Sequence, residues 1–321
     1  MKIDDISRIK NLKGFNSERI YLIEKLGFDA GFFLYRNCLC FAKAAAEETL
    51  TPVMTTYLEF NPSTKIRSVI NDPSFAPGSY DFLTLKECED YDILTSFIKL
   101  CELYGKNPSM AFSDFINAIV ELCQLPRNQS KLDCLGFVGE LFFLKKALED
   151  GVDLSPLWHL SGSRSKYDFA SDKVNYEVKT SDSESTAFLI KHEQVFNGQP
   201  NVIVLVSVRS DEAMGLSLKD LVRFARETEP FSQNLRFQIE LEKELRKSID
   251  PDMQNKKFLV SGIFGFDARK LGTIKNIPFC ISEISYRYDF DVSEGLSVSE
   301  ILEKLTDGKT KVLNPSRPKI W

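Results

Sequence analysis

The stretch from Lys166 to Thr180 carries the side chains best suited to chemistry: Asp168, then Glu177, Val178 and Lys179. It reads as two short strands, Lys166 to Ala170 and Val174 to Thr180, joined by the turn-prone Ser171, Asp172 and Lys173. Alternation predicts Val174, Tyr176 and Val178 facing a core, with Asn175, Glu177 and Lys179 on the opposite face. Pairing of the strands carries Asp168 close to Glu177, so two carboxylates and an ammonium converge. Oxygen donors of this kind suit Mg²⁺, which keeps several waters and takes one or two carboxylates plus substrate phosphate. A cation held there activates a water and steadies charge on a phosphodiester, leaving the lysine to orient or deprotonate the nucleophile. The competing reading is plain: acids and a base on a solvated hairpin face, forming weak surface ion pairs.

The elements around the hairpin must position these groups. A helix from about Lys131 to Glu149 precedes it, with a capping box at Ser130 to Asp133, Lys145 and Lys146 in its last turns, and Gly151 at its stop. Glu140 is out of place there, because Gly136, Phe137, Phe143 and Leu144 give it an apolar face. A carboxylate buried on such a face needs a salt-bridge partner or a metal. Gly136 and Gly139 lower helix propensity and predict close approach to the sheet. The loop Ser161 to Ser165 leads into the hairpin, and its Arg164 and the following Lys166 are candidates to touch phosphate. After the hairpin, Ser185 to Ile190 reads as a strand, followed by His192, Glu193 and Gln194. Gln194 is a candidate to orient substrate; His192 reads equally as a surface group or as one near the scissile phosphate. His159, beside Trp158, reads as structural.

Further out, short aromatic and aliphatic runs from Ile20 to Leu85 predict a small antiparallel unit with a helix at Lys43 to Glu48. Its role stays open between DNA recognition, partner contact and core covering. Asp90 to Tyr104 and Pro108 to Leu125 read as amphipathic helices, and the break at Gly105 to Pro108 divides the chain into domains 1–106 and 107–321. Val202 to Val208 predicts a strand buried on both faces. Ser217 opens a helix toward Glu227, and Phe231 to Ser248 reads as a long helix with a solvated, charge-balanced face. Lys257 to Phe266 and Ile281 to Val292 supply further strands, and Ser297 to Glu300 caps a last helix.

Composition excludes several classes. Of 321 residues 43% are hydrophobic and 27% charged, enough for a core in a soluble globule. Net charge is −5, from 41 basic and 46 acidic residues, so bulk charge does not drive nucleic-acid binding; a local patch would have to. The tail residues Lys304, Lys309, Lys311, Arg317 and Lys319 read either as a solvated terminus or as a phosphate-contacting arm. No apolar run reaches the roughly 18 residues of a membrane span, and no secretory signal opens the chain. Seven cysteines, an odd number, point to a reducing cytoplasm rather than a disulfide framework. Cys38 and Cys40 lack a second pair at zinc-site spacing. No glycine pattern forms a phosphate loop, and two histidines without a Ser or Cys motif argue against nucleophilic acyl transfer.

Taken together, Asp168 and the Glu177-Val178-Lys179 triplet resemble the PD-(D/E)XK nuclease superfamily. The likeness covers roughly Cys134 to Arg209: a Gly139-Glu140 helix, Asp168-Phe169, Glu177 to Thr180, then His192 to Gln194. That order is similar to a bacterial family of PD-(D/E)XK proteins. Two positions depart from it: Tyr167 precedes Asp168 where proline is usual, and Glu193 separates His192 from Gln194.

The resemblance implies an α/β fold: a restriction-endonuclease-like α/β/α core with a mixed central sheet, from about Ser109, after a β-rich N-terminal domain. It implies Mg²⁺-dependent cleavage of DNA, with Mn²⁺ as substitute, in bacterial restriction or anti-phage defence. Asp168 and Glu177 would bind the metal with the Val178 carbonyl and support from Glu140, and Lys179 would orient or activate water. Gln194, His192 and Arg164 would contact substrate. Double-stranded DNA is the expected partner, with a second copy of the chain because each strand needs a site, and defence-system proteins beyond it. The alternative is a nuclease fold kept for DNA binding or complex assembly without cutting; an RNA or repair nuclease is a third reading.

Overall fold

Short alternating runs close together in sequence pair with their neighbours, whereas a strand apolar on both faces needs a layer on each side. The computed structural model describes residues 8–12, 15–27, 29–45, 50–72, 75–86, 90–125, 131–159, 166–182, 186–195, 200–247, 251–273 and 283–306. The chain divides into two compact units, Met1–Pro126 and Arg127–Trp321.

In the first unit, β1 (Tyr21–Leu26), β2 (Ala30–Tyr35), β3 (Cys38–Ala44), β4 (Val53–Met54), β5 (Leu58–Ile66) and β6 (Gly78–Leu85) form one antiparallel sheet. Its strand order is β1-β2-β3-β6-β5-β4. The helix expected from Lys43 does not begin there. Lys43 and Ala44 continue the alternation of β3 and pair with Asp81 and Tyr80, while residues 46–49 lie outside the described set. Helix α1 (Tyr91–Lys106) is capped by Asp90, whose carboxylate accepts from the N–H groups of Asp92 and Ile93. Helix α2 is Phe112–Gln124. Both pack on this sheet: Tyr104 stacks on Phe115 with ring centroids 4.4 Å apart, and Phe41 of β3 meets Phe112 and Phe115. The Gly105 to Pro108 break therefore separates two helices of one unit.

The second unit runs α3 (Lys131–Glu149), β7 (Asn175–Ser181), β8 (Ala187–Lys191), the one-turn α4 (His192–Val195), β9 (Asn201–Ser210) and β10 (Leu216–Ser217). It continues with α5 (Leu218–Glu227), α6 (Leu235–Lys247), α7 (Pro251–Asn255), β11 (Lys257–Asp267), β12 (Ser285–Asp289) and α8 (Val298–Thr306). The central sheet has the order β10-β11-β9-β7; β7 runs parallel to β9 and the other pairs are antiparallel, so the sheet is mixed. The fold class is thus α/β.

Strand β9 explains the layering. Val202, Val204, Val206 and Val208 join Tyr176 and Val178 in a core built with α3, α5, α6 and α8. Ile203 and Leu205 face the other way, into a second core with Ile190, Val195, Ala268 and Phe290. That second layer is the β8–β12 ribbon and the single turn of α4, rather than long helices. The caps predicted at Ser217 and Ser297 form, with Asp220 and Glu300 returning the bond to the backbone. The face of α6 read as solvated is not: Gln238, Glu242 and Lys243 are buried. Arg226 forks onto Glu242 with both contacts of its Nη2 at 2.9 Å, which is how the charge is tolerated. Among the described residues no helix is long and apolar enough to cross a membrane.

Of the two helix glycines, Gly139 answers to close approach and Gly136 does not. A Cβ at Gly139 would sit 1.8 Å from Thr180 Oγ1, whereas one at Gly136 would meet nothing within 4 Å. The neighbour is a side chain of β7, not sheet backbone. Gly139→Ala should destabilise the protein by about 1–3 kcal/mol in urea unfolding, the scale of core overpacking. Adding Thr180→Ala should recover part of that loss; no cost for Gly139→Ala would refute the contact.

Candidate functional site

The hairpin forms around a tight turn. Ser171 Oγ accepts from Val174 N–H at 3.0 Å and donates to the Val174 carbonyl at 2.7 Å. Phe169 and Tyr176 then exchange backbone hydrogen bonds at 2.8 and 3.1 Å, and Phe169 also bridges to Trp158. The strand expected over Lys166 to Ala170 shrinks to these bridges at Phe169. The reason is local: Lys166 reaches Glu193 at 2.8 Å and the Tyr167 hydroxyl donates to the Glu193 carbonyl at 2.7 Å, which draws this end of the segment toward α4.

Asp168 lands on the outer edge of β7, where its Oδ2 accepts from Val178 N–H at 2.6 Å. A residue's N–H and C=O leave a strand on the same edge. The Val178 carbonyl therefore points to the edge that Asp168 occupies. Glu177 and Lys179 lie on the face covered by the ribbon and form an ion pair. The solvated-face reading fails for Glu177, which is only 5% exposed.

Buried supports hold Glu177 from below. The Gln194 amide hydrogen-bonds its carboxylate, and Gln194 Oε1 accepts from Lys191 N–H at 2.9 Å. Asn201 Nδ2 ties the Gln194 carbonyl and the Tyr167 hydroxyl together at 3.1 and 3.0 Å. The structure thus places Gln194, the candidate substrate contact, inside the protein with both ends of its amide engaged. His192 is half-buried, with Nδ1 2.6 Å from the Tyr286 hydroxyl. Arg164 lies outside the described residues, as do Lys309, Lys311, Arg317 and Lys319 of the tail.

Glu140 reaches this region from α3. Its Oε2 accepts from the Trp158 indole at 2.7 Å and lies 3.0 Å from His159 Nε2. His159, which reads as structural in the sequence, and Trp158, which carries no signal there, are thus the partners of Glu140. No spacing rule could flag two adjacent aromatics before a loop; only the fold brings them to Glu140.

The electrostatics report crowding. Burial pushes the Asp168 carboxyl well above its ordinary range, and the charges of Glu140 and Glu177 push it further, against the Val178 N–H and His159. Burial also raises Glu177, Lys179 pulls it back in part, and Glu140 adds to the rise. Burial would lower His159, but its hydrogen bond and charge contact with Glu140 prevail and lift it to about 9.

These residues fit a hard cation that keeps some of its water. All donors are oxygen, negative charge is in excess, and among the described residues no donor bonds Asp168 Oδ1 or Glu140 Oε1. Among the same residues, no three His, Cys, Asp or Glu side chains stand close enough to enclose a metal alone, so water and backbone oxygen would complete the shell.

His159 titrates near 6.5 when free and near 9 when folded, so its contribution to stability is complete below about pH 6.5 and disappears as pH rises through about 9. Urea unfolding followed across that window should show wild-type stability falling more steeply than that of Glu140→Gln. Parallel curves would refute the pairing.

A family model described as "Putative PD-(D/E)XK family member" matches residues 82–252, which is 171 of the 321 residues. The matched segment contains Glu140, Asp168, Glu177 and Lys179. No curated protein and no solved structure matches the chain. Since the match spans more than half of the sequence, this chain belongs to that nuclease-like PD-(D/E)XK family.

Proposed function

We propose that this protein is a metal-dependent endonuclease that hydrolyses DNA phosphodiesters with Mg²⁺, or Mn²⁺ in its place. The observation that carries the reading is Asp168 on the edge of β7, bonded to the Val178 N–H, with Glu177 paired to Lys179 on the same strand and Glu140 near enough for its charge to raise the proton affinity of both Asp168 and Glu177. Such crowding is unfavourable in the free protein and is relieved by a cation.

Asp168, Glu177 and the Val178 carbonyl would hold the metal, with Glu140 in support. When bound, Mg²⁺ would polarise a phosphate oxygen and acidify an attacking water. Lys179 forms an ion pair with Glu177. Its side chain is 24% exposed where that of Glu177 is 7%, so the ammonium lies nearer solvent and can orient the water or neutralise the phosphate. Gln194 fixes the Glu177 carboxylate, and His192 with Arg164 remain the candidates for substrate contact. A negative chain needs local contacts to bind DNA, and double-strand cutting calls for two copies. We place the protein in bacterial restriction or anti-phage defence, in the cytoplasm, with defence-system proteins as partners. The odd count of seven cysteines in the sequence fits a reducing compartment.

One observation favours the second reading, a nuclease fold kept for DNA binding or assembly. Lys179 already neutralises Glu177, and Trp158 with His159 already engage Glu140. Cleavage of supercoiled plasmid and phage DNA, modified and unmodified, separates the two. Wild type should cut with Mg²⁺ or Mn²⁺ and stop when EDTA is added. Lys179→Ala and Asp168→Asn should each lose roughly 100-fold or more, the scale of removing a positioned proton-transfer or electrostatic group. DNA binding by wild type without cutting under any of these conditions would establish the second reading.

A further inference from the structure

We propose that Trp158 and His159 act as a clamp that sets the Glu140 carboxylate and Asp168 relative to each other for cation binding. The inference rests on the metal-dependent reading above and assigns positioning roles to two residues outside the acid-lysine set.

Trp158 is fully buried, and its indole is fixed by aromatic neighbours on two helices. It stacks on Phe137 of α3 at 6.1 Å with an interplanar angle of 11°, and meets Phe237 of α6 at 5.1 Å. Phe137 lies one helical turn before Glu140, so the same indole packs on one residue of α3 and donates to the other. His159 follows with a positive φ of 43°, a backbone conformation that side chains with a Cβ rarely adopt. Neighbouring bonds hold it there: His159 N–H donates to the Asp168 carbonyl at 2.9 Å, and Ala170 N–H donates to Leu157 O at 3.0 Å. One dipeptide therefore grips Glu140 through two side chains and Asp168 through its backbone.

The direction of the bonds matters. Both donors bond Glu140 Oε2, and among the described residues none bonds Oε1. The carboxylate is thus oriented to offer a single oxygen. Asp168 is treated alike: Val178 N–H takes Oδ2 and leaves Oδ1. Hydrogen bonds of this kind behind a metal ligand change metal affinity by about 10–100-fold when removed.

The test is Mn²⁺ binding to the full chain, free of DNA, by titration calorimetry, with thermal melting in parallel. Trp158→Phe keeps the stacking and loses the N–H; His159→Ala loses the imidazole; His159→Gln keeps an N–H donor near the position of Nε2. Trp158→Phe and His159→Ala should each bind Mn²⁺ about 10–100-fold more weakly, with His159→Gln recovering most of the affinity. Cleavage by the weakened variants should return toward wild type when Mn²⁺ is raised to saturation. Should Trp158→Phe fail to fold, the His159 pair carries the test. Wild-type affinity in Trp158→Phe and His159→Ala, beside weakened binding in Glu140→Gln, would overturn the clamp alone. So would His159→Gln binding as weakly as His159→Ala. No Mn²⁺ binding by wild type would overturn the metal reading itself, and the clamp with it.

Discussion

The second unit is organised around like charges brought together away from water. The charges of Glu140 and Glu177 raise the free energy of ionising Asp168, the charge of Glu140 does the same to Glu177, and burial adds to both. A fold that keeps three such carboxylates must hold every one by a specific donor. It does so differently each time: a backbone N–H for Asp168, an ammonium and an amide for Glu177, an indole and an imidazole for Glu140. Each donor in turn depends on an element fixed elsewhere: the edge of β7, the turn of α4, and the stack of Trp158 between α3 and α6.

The layered sheet makes this arrangement possible. Because β9 is apolar on both faces, the parallel strand β7 beside it is also covered on both sides, and Glu177 cannot escape to solvent. The helix core takes Tyr176 and Val178; the ribbon of β8 and β12 covers the face of Glu177 and Lys179. Gly139 lets α3 close onto Thr180, one residue beyond the lysine, which brings Glu140 within electrostatic range of both other acids. Packing that carries no chemistry thus sets the distances on which the chemistry depends.

Much was legible in the sequence because it rests on local rules. The valine-rich run of β9 could only be a strand covered twice; Ser217 with Asp220 and Ser297 with Glu300 could only be helix starts; and Asp168 with Glu177, Val178 and Lys179 announced an acid–lysine pair across a hairpin. The oddity of Glu140 on an apolar helix face was also visible, since a carboxylate there requires a partner.

What only the tertiary structure decided concerns partners distant in sequence. Glu140 meets Trp158 and His159 across 18 and 19 residues, and no period or spacing encodes that contact. Gln194 looked available for substrate, yet α4 turns it inward to Glu177; the face of α6 looked solvated, yet Arg226 seals Glu242 inside. Local pattern specifies which side chains share a strand or helix face. Whether that face meets water, a hydrocarbon core or another charge depends on which element packs over it, and that is a property of the whole unit.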